Sequence, residues 1–469
     1  MNTDMENALA GRSGLAGVQR LLLDRQPQAA LRGALAALLP SADMLGECRL
    51  HRAKYKPGRH LTAYYEVHVH DPASGDGCAR QIEVSWRAES SQDPRGAMTD
   101  METMQAEAVH TGLAAPFRQL MADAPEWGMR VQIAPLDASF PQLVRVSDPR
   151  YVREMLLAAA ANDNAFPNAP ASHYTVTTIR YRPGQRHVLR YDPAPTVAQA
   201  ANDGTIFAKI YNSDKGERTF SVVTRVANWL AASGVLTAVK PIAYIASDQT
   251  VLYPHVSGTP LSELLRTPGH ETAAHLRAAG AALHALHATP TNLVELQPHS
   301  FAKEIKGIAS ASEHIHVLLL ATSTLIHDVL ERARALHERL LQEPPGFAYG
   351  DFKSDHLWVT PGGLTLIDFD TCYLADQAID LGKFLADLQW WCDSYGLADV
   401  EHAQAAFLDG YGALSPERLA RARLYEVLVL VKSTVRRVRL FDQDWAERTE
   451  RLVQRADRLL RALEQTTGG

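Results

Sequence analysis

The sequence lacks the features that mark secreted, membrane-spanning and nucleic-acid-binding proteins. Its 469 residues include only four cysteines, with no CxxC pair and no Cys/His ligand pattern, which argues against a disulfide framework and a zinc ribbon. No uncharged apolar run reaches about 18 residues, and residues 1–14 lack the apolar core of a signal peptide. The net charge is −6, so we expect no bulk attraction to nucleic acid or to anionic membranes. These absences predict a cytoplasmic protein that binds neither nucleic acid nor membranes.

Two segments of the chain contain an apolar run that leads into carboxylates. Residues 349–356 have the sequence YGDFKSDH, and residues 367–370, which begin eleven positions after the first segment ends, have the sequence IDFD. The intervening residues are predicted to form two short strands around a Pro-Gly-Gly turn, which would bring Asp351 and Asp368 to one end of a hairpin. Phosphoryl transfer needs two carboxylates with different roles. One accepts a hydroxyl proton, and the other holds Mg²⁺ against the nucleotide phosphates.

These segments resemble those of the aminoglycoside phosphotransferase-like proteins, the phosphotransferase enzyme family within the protein-kinase-like superfamily. The catalytic loop of that family usually has the pattern His-Gly-Asp-x-x-x-x-Asn, and its metal segment has the pattern Ile-Asp-Phe/Trp-Asp/Glu. In this chain Gly350 and Asp351 match the loop, Tyr349 replaces the leading His, and His356 replaces the Asn.

The resemblance implies a role for each of these residues. Asp351 would be the catalytic base, Asp368 the main metal ligand, and His356 and Asp370 further metal ligands. Because an imidazole nitrogen suits Mg²⁺ less well than an amide oxygen does, Mn²⁺ is an alternative to Mg²⁺. Residues 378–385 resemble the segment in which an aspartate starts a helix and supports the catalytic loop, which gives Asp380 a structural role.

Residues 174–211 come before the catalytic segment and are predicted to form three strands, at 174–181, 187–191 and 205–211. Lys209 lies among apolar residues of the third strand, where burial is unfavourable without an anionic partner. The resemblance supplies that partner, because in kinase-like folds this lysine contacts the phosphates of ATP or GTP and is oriented by a helix glutamate. Glu217, in a helix predicted from 215 to about 232, is the candidate. The alternative is a glutamate that interacts only with the helix dipole.

The turn between the first two of these strands has no GxGxxG pattern. Arg182, Gly184 and Arg186 are nevertheless candidates for binding the nucleotide phosphates, through backbone N–H groups at the hairpin tip and through side-chain charge. A solvent-exposed hairpin turn without such a contact is the alternative.

The first 150 residues contain a partial repeat of this region. Residues 54–59 (KYKPGR) are similar to residues 180–185 (RYRPGQ) at an offset of 126 positions. A strand at 81–86, a helix-like run at 99–113, a strand around Val131 and the apolar positions of 141–146 follow in a similar order, without a lysine in the place of Lys209. We infer a duplicated N-lobe-like domain that has lost its nucleotide chemistry. Chance recurrence of a basic turn is the alternative.

The predicted fold is α+β, a bilobal protein-kinase-like fold with an additional N-terminal α/β domain. The predicted domains are residues 1–157 (N-lobe-like accessory domain), 171–258 (nucleotide-binding N-lobe) and 259–469 (helical C-lobe with the catalytic loop and the acceptor site). The C-terminal helices carry basic residues at the expected acceptor wall, which favours a neutral or anionic acceptor over a polycationic one: Lys432, Arg436, Arg437 and Arg439.

The sequence thus predicts an ATP-dependent kinase that phosphorylates a hydroxyl group of a small molecule, with a sugar or sugar-like metabolite favoured. A nucleotide-binding pseudokinase that serves as an interaction module is the alternative, because Tyr349 and His356 depart from the family pattern. The missing glycine-rich loop and Ala-Pro-Glu segment argue against a protein kinase. The N-terminal domain is expected either to cap the acceptor cleft or to form a homodimer surface.

Overall fold

The computed structural model of the chain describes residues 3–467 except for 71–76, 88–94, 163–170, 172, 195–203, 233 and 268. In the described part, an N-terminal region with a five-stranded sheet is followed by a second five-stranded sheet and a mostly helical C-terminal region. The predicted α+β fold class is confirmed. None of the described helices is long and apolar enough to cross a membrane.

The N-terminal region begins with three helices and continues into the first sheet. The helices are α1 (Thr3–Leu9), α2 (Gly14–Leu23) and α3 (Arg25–Ala37). The sheet and its helix are β1 (Leu45–Lys56), β2 (His60–His70), β3 (Gly77–Arg87), α4 (Arg95–His110), β4 (Met121–Ala124) and β5 (Met129–Ile133). Leu31 and Leu35 lie one helical turn apart on α3, and both are buried where α3 packs on β1, β4 and β5. One face of the sheet is thereby covered.

The second sheet forms from the region that contains Lys209. Its elements are α5 (Pro149–Asn162), β6 (Tyr174–Arg182), β7 (Arg186–Pro193), β8 (Ile206–Ile210), α6 (Lys215–Ala231), β9 (Thr237–Ala238), β10 (Ala243–Ile245) and β11 (Thr250–Pro254). The strand order is β6-β7-β8-β11-β10, with all neighbours antiparallel.

The two sheets share one topology, which agrees with the predicted duplication. The first sheet has the order β1-β2-β3-β5-β4, and in both sheets a helix follows the third strand. The β1–β2 and β6–β7 turns both contain a Pro-Gly pair, with φ of 70° at Gly58 and 69° at Gly184. Val188 pairs with Lys209, whereas Thr62, 126 positions before Val188, pairs with Ser85. A buried serine therefore occupies the lysine position in the first sheet.

The segment between the sheets packs with the second sheet. A hydrophobic cluster joins residues of 134–156, such as Phe140 and Val152, to Tyr181 and Leu189. Residues 141–147 form two 3₁₀ turns, Pro141–Leu143 and Arg145–Ser147. The predicted similarity between the two repeats therefore does not extend beyond β5. The expected linker at 158–170 begins as the last turn of α5, and residues 163–170 lie outside the described part of the chain.

The C-terminal region consists of helices around the catalytic hairpin. Its first half contains β12 (Thr259–Pro260), α7 (Leu261–Leu264), α8 (His270–His287), α9 (Phe301–Ala311), α10 (Glu313–Leu318) and α11 (Leu320–Arg339). The second half contains β13 (Gly346–Ala348), β14 (Leu357–Thr360), β15 (Gly363–Leu366), β16 (Tyr373–Ala375), α12 (Ala378–Tyr395), α13 (Val400–Tyr411), α14 (Pro416–Arg436) and α15 (Trp445–Thr467).

The predicted hairpin is β14–β15, and it connects the two lobes. β12 pairs with β14 on one side, and β9 pairs in parallel with β15 on the other. At Gly258, just before β12, a Cβ atom would lie 2.4 Å from the carbonyl oxygen of Val359, so the close approach of the two strands requires glycine. The hairpin is thus fixed on both edges, with Asp351 before it and Asp368 after it.

Candidate active site

The loop that carries Asp351 is supported from below by a buried aspartate. Gly350 has φ of 82°, and a Cβ atom there would lie 2.6 Å from the carbonyl oxygen of Thr371, so this turn requires glycine. Asp380 is fully buried and accepts hydrogen bonds from the backbone N–H groups of Tyr349 at 2.7 Å and Gly350 at 2.6 Å. It lies in the first turn of α12, two residues inside the helix, and it supports the loop as the sequence predicted.

Asp351 lies between two lysines. Lys353 Nζ is 2.7 Å from Asp351 Oδ2, and Lys383 Nζ, from α12, is 3.1 Å from Asp351 Oδ1. Burial would raise the pKa of this carboxyl, but Lys383, His356 and Lys353 together hold the pKa well below its usual range. The side chain of Asp351 is 26% exposed. It is therefore an ionised carboxylate that can accept a hydrogen bond from an incoming hydroxyl group.

Asp368 and Asp370 face two cations of the second sheet. Lys209 Nζ is 2.7 Å from Asp368 Oδ1 and 2.7 Å from Asp370 Oδ2. Arg186 Nη1 is 3.4 Å from Asp368 Oδ2, and its Nη2 binds Asp370 Oδ2. Although burial alone would raise the pKa of Asp368, Lys209 and the neighbouring cations hold this pKa well below its usual range. The buried strand lysine thus has the anionic partners that its position required.

Both oxygens of Asp370 have protein partners. The Tyr211 hydroxyl donates a hydrogen bond to Oδ1 at 2.7 Å, and Oδ2 contacts Lys209 and Arg186. The side chain is only 1% exposed. This burial does not suit the metal-ligand role that was predicted for Asp370, whereas the side chain of Asp368 is 22% exposed. It makes Asp370 the anchor that holds Lys209 and Arg186 beside Asp368.

His356 stands between the two other carboxylates. Its Nε2 atom is 3.7 Å from Asp351 Oδ2 and 3.7 Å from Asp368 Oδ2. Burial lowers the pKa of this imidazole to about 4, so the ring is neutral at pH 7. Its other nitrogen, Nδ1, lies 3.1 Å from the hydroxyl of Tyr349, which is also 2.7 Å from the carbonyl oxygen of Asp368.

The remaining predicted residues do not all reach this centre. Glu217 is exposed on α6, where it lines a surface cavity together with Phe220 of the same helix and Tyr244 of β10. The ion pairs of Lys209 are with Asp368 and Asp370. The structure therefore does not bring Glu217 and Lys209 together. The alternative interpretation, a first-turn glutamate near the helix dipole, fits this placement.

The hairpin tip of the second sheet is turned toward the N-terminal region. The N–H of Gly184 donates a hydrogen bond to Asp137 Oδ2 at 2.8 Å, and Gln185 Oε1 accepts one from Lys54 Nζ at 2.7 Å. The Gly184 N–H predicted to bind phosphate is thus already paired. Arg182 lies on the same side as Lys54, while Arg186 alone of the predicted turn residues reaches the carboxylates.

Two lysines of the centre, Lys353 and Lys383, were missed by sequence reasoning. Lys383 is surrounded in the sequence by apolar residues of α12, which is the signal that identified Lys209, and applying it throughout the chain would have found both. Lys353 carries no comparable signal, because a lysine in a loop is usually solvated. Its role depends on the fold of the loop around Asp351.

A two-lobed α+β fold, with a strand lysine that meets loop carboxylates beside a supported catalytic loop, defines the protein-kinase-like class. Residues 194–425 match the model of the phosphotransferase enzyme family. This segment contains Lys209, both carboxylate segments and α12, and it is a domain of that family. The resemblance predicted from the sequence is thereby confirmed. A search of curated proteins finds no match.

Solved structures of small-molecule kinases are similar to this chain at low identity. One is a choline/ethanolamine kinase family protein from Mesorhizobium loti, with 13% identity, a TM-score of 0.45, and coverage of 67% of this chain and 99% of that chain. Another is choline kinase from Cryptosporidium parvum, with 11% identity, a TM-score of 0.44, and coverage of 66% and 96%. A third is a thermostable mutant of an aminoglycoside phosphotransferase in complex with AMP-PNP and hygromycin B, with 14% identity, a TM-score of 0.45, and coverage of 66% and 97%.

Proposed function

We propose that the chain is an ATP- or GTP-dependent phosphotransferase that moves the γ-phosphate to a hydroxyl group of a small molecule, with a sugar-like acceptor favoured. The observation that carries the proposal is the convergence at His356, whose Nε2 atom lies 3.7 Å from both Asp351 and Asp368. The two carboxylates that the reaction needs therefore share one small space. The family match over residues 194–425 supports the same chemistry.

Asp351 orients the acceptor hydroxyl in this proposal. A bond forms between the acceptor oxygen and the γ-phosphorus, the bond from that phosphorus to the β–γ bridging oxygen breaks, and the nucleoside diphosphate leaves. The hydroxyl proton passes to Asp351. Because the pKa of Asp351 is low, the proton transfers late, which agrees with a loose transition state in which the attacking oxygen keeps its proton.

Lys209 and Arg186 are placed to bind the nucleotide phosphates beside Asp368. Each contacts Asp368, so a bound phosphate would meet both cations where the metal-binding carboxylate already lies. Lys353 and Lys383 flank Asp351 and would neutralise the charge of the transferred group near the acceptor. Arg182 and Gly184 have no part in nucleotide binding in this arrangement.

The donor set fits a divalent cation that is shared with the nucleotide. No group of three or more His, Cys, Asp or Glu side chains among the described residues could hold a metal ion alone. Mg²⁺ is usually held by one or two protein ligands together with substrate phosphates and water, and Asp368 and His356 provide two donors. When bound, the cation would neutralise the phosphate charge that develops during transfer.

Tyr349 determines which nitrogen of His356 carries the proton. The Tyr349 hydroxyl has one hydrogen, which it donates to a backbone carbonyl; the carbonyl oxygen of Asp368 lies at 2.7 Å. The contact of 3.1 Å with His356 must therefore be donated by the Nδ1–H of the histidine to the tyrosine oxygen. The lone pair of His356 is then on Nε2, between Asp351 and Asp368. We assign Tyr349 to positioning His356 as a neutral ligand.

Substituting His356→Asn should change the metal preference. An amide oxygen favours Mg²⁺, whereas imidazole favours Mn²⁺, so we expect the ratio of nucleotide affinities in Mn²⁺ and Mg²⁺ to fall by about tenfold. Calorimetric titration with a non-hydrolysable nucleotide in each metal measures this ratio. His327→Asn, an exposed change on α11, is the matched control. An unchanged ratio in His356→Asn would place His356 outside the metal site.

Substituting Tyr349→Phe should weaken metal-dependent nucleotide binding while leaving the fold intact. The change removes the acceptor of the His356 Nδ1–H, and loss of such a partner typically lowers metal affinity by about tenfold. Tyr395→Phe, whose hydroxyl donates to the Ser262 carbonyl at 3.1 Å, is the control. Because His356→Asn removes the ring, Tyr349→Phe should have little further effect on metal affinity in that background. Additive losses would contradict the assignment.

The function itself is tested by transfer of labelled γ-phosphate from ATP and from GTP to a panel of sugars, amino alcohols and aminoglycosides, with Mg²⁺ and with Mn²⁺. Transfer to at least one hydroxyl acceptor is expected, and it should be lost in Asp351→Asn. Tight nucleotide binding without transfer to any acceptor and without hydrolysis would favour the pseudokinase alternative. That alternative is motivated by Tyr349 and His356, which replace a histidine and an asparagine of the family pattern.

A further inference from the structure

A cavity of about 360 Å³ lies where three parts of the fold meet, outside the centre described above. Its lining comes from β1, β2 and β3 of the first sheet, β6 of the second sheet and the end of α14 with the residues that follow it. The lining is strongly basic and includes arginines from all three parts: Arg52, Arg180, Arg182, Arg436, Arg437 and Arg439.

Four arginines at this cavity lack an acidic partner among the described residues; three of them are half-buried, and Arg436 is exposed. Lys209, Lys432 and Arg437 each meet a carboxylate, with Lys432 Nζ at 2.6 Å from Glu304 Oε1 and Arg437 bound to Asp387. No ion pair with a described carboxylate involves Arg52, Arg180, Arg182 or Arg436, the set that we call the unpaired arginine cluster. Of the four basic residues predicted to form an acceptor wall, Arg436 and Arg439 are exposed and make no ion pair with a described carboxylate.

Glu66 and Glu83, two acidic residues of the first sheet, form no ion pair with the cluster. Glu66, the one carboxylate among the described lining residues, accepts a hydrogen bond from Gln81 at 2.8 Å and lies 3.5 Å from His68. Burial raises the pKa of Glu83 to about 7, so this carboxyl is only partly ionised at neutral pH. Lys54, next to Arg52 on β1, adds a further positive charge and contacts only the amide of Gln185.

Burial and mutual repulsion lower the pKa values of cations at this cavity. Burial, followed by Arg52 and Arg180, lowers the pKa of Arg182 to about 9. Burial, followed by Arg52 and Arg436, lowers the pKa of Lys54 to about 8. Like charges that repel one another in a partly buried cavity destabilise the free protein, and an anion bound among them would relieve that repulsion.

The cluster lies within electrostatic range of the catalytic centre. The charges of Arg186, Asp368 and Asp370 all act on Arg180. Its outer end continues into Arg437, whose partner Asp387 accepts hydrogen bonds from the backbone and hydroxyl of Ser354 at 2.8 and 2.5 Å. Ser354 belongs to the loop of Asp351, so Arg437 links the outer end of the cavity to that loop through Asp387.

We propose that the unpaired arginine cluster binds an anionic group, a phosphate or a carboxylate, of the acceptor molecule, so that this phosphotransferase acts on an already anionic substrate. The inference rests on the proposed function and deepens it. The duplicated sheet supplies Arg52 to the acceptor site, which gives a role to a domain without a nucleotide-binding lysine. Tyr64, which is buried, also lines the cavity.

The test is a binding experiment that needs no turnover. Glucose 6-phosphate, with glucose as its uncharged counterpart, and inorganic phosphate are titrated without nucleotide against the full-length protein and against Asp351→Asn. We expect both proteins to bind the phosphate-bearing probes and to bind glucose at least tenfold more weakly. Arg52→Gln combined with Arg436→Gln should weaken binding of the phosphate-bearing probes by about tenfold or more, because two charge-assisted contacts are lost.

Three comparisons make the result decisive. Arg49→Gln, an exposed change on the same strand, should bind as the wild type does. Lys209→Met removes a cation of the nucleotide site. If Lys209→Met loses phosphate binding while the Arg52/Arg436 variant retains it, the anion binds in the nucleotide site and the proposal is overturned. Failure of any phosphate-bearing probe to bind the wild type would also overturn it. Because the Arg52/Arg436 variant has less repulsion between cations, its melting temperature without ligand should equal or exceed that of the wild type. Arg182→Gln is a second variant in which binding of the phosphate-bearing probes should also weaken.

Discussion

Asp351→Asn is expected to reduce kcat for phosphoryl transfer by about 10³-fold while changing nucleotide affinity by less than about twofold. The amide keeps the size of the side chain but loses the negative charge that orients and deprotonates the acceptor hydroxyl. Asp351 makes its ion pairs with Lys353 and Lys383, and Lys209, which faces the nucleotide site, pairs with Asp368 and Asp370. Single-turnover transfer and equilibrium nucleotide binding, measured on the same preparation, separate the two effects.

The control for this change is Asp409→Asn, which removes a carboxylate that is 70% exposed and paired with Arg277 on the far helices. It should retain wild-type turnover, since exposed ion pairs contribute little to stability. Near-normal turnover in Asp351→Asn would show that another group accepts the proton. Loss of nucleotide binding together with turnover would show that the carboxylate organises the nucleotide site as well.

Asp370→Asn is expected to lower the free energy of unfolding by about 3 kcal/mol, because it leaves buried cations short of a counter-charge. Asp370 is 1% exposed and contacts Lys209 and Arg186, which would then share Asp368 alone. The amide can still accept the hydrogen bond of Tyr211, so the loss reports charge more than shape. Urea unfolding followed by tryptophan fluorescence measures the change, and Asp409→Asn again serves as the exposed control.

A double variant distinguishes charge imbalance from general disruption. Lys209→Met removes one of the two unbalanced cations, so in the Asp370→Asn background it should restore more than about half of the lost stability. Each change should therefore lower the free energy of unfolding more in the wild type than in the background of the other change. Simple additivity of the two losses would indicate that Asp370 contributes through packing, and the assignment of Asp370 as the anchor of Lys209 would then fail.

The sequence predicted the parts of the site that depend on local spacing. Asp351 and Asp368 flank a hairpin whose turn residues are unmistakable, so their meeting at one end follows from strand geometry alone. Lys209 was identified because a charge inside an apolar strand needs a partner, although the partners proved to be Asp368 and Asp370. The repeat at 126 positions predicted a second sheet, which has the same strand order as the first.

The predictions that the structure changed depend on side-chain directions that no local sequence pattern encodes. Glu217 and Gly184 lie on elements that were correctly predicted, but the first faces outward on α6 and the second donates its N–H to Asp137. Asp370 shares a segment with Asp368, yet its oxygens are taken by Tyr211 and two cations. Whether a side chain meets metal, phosphate or protein depends on what the rest of the chain brings to it.

The sequence by itself predicted the pair of carboxylates and the strand lysine from local patterns, the fold class from the resemblance that these segments carry, and a duplicated sheet from the repeat at 126 positions. The tertiary structure alone decided that the hydroxyl of Tyr349 lies beside His356 Nδ1 and that Arg52 joins Arg180 and Arg436 around one cavity. Arg52 and Arg436 are 384 positions apart, and their meeting is set by the packing of the first sheet against α14 and the second sheet. Charges so distant in sequence acquire a common electrostatic environment only once the chain is folded.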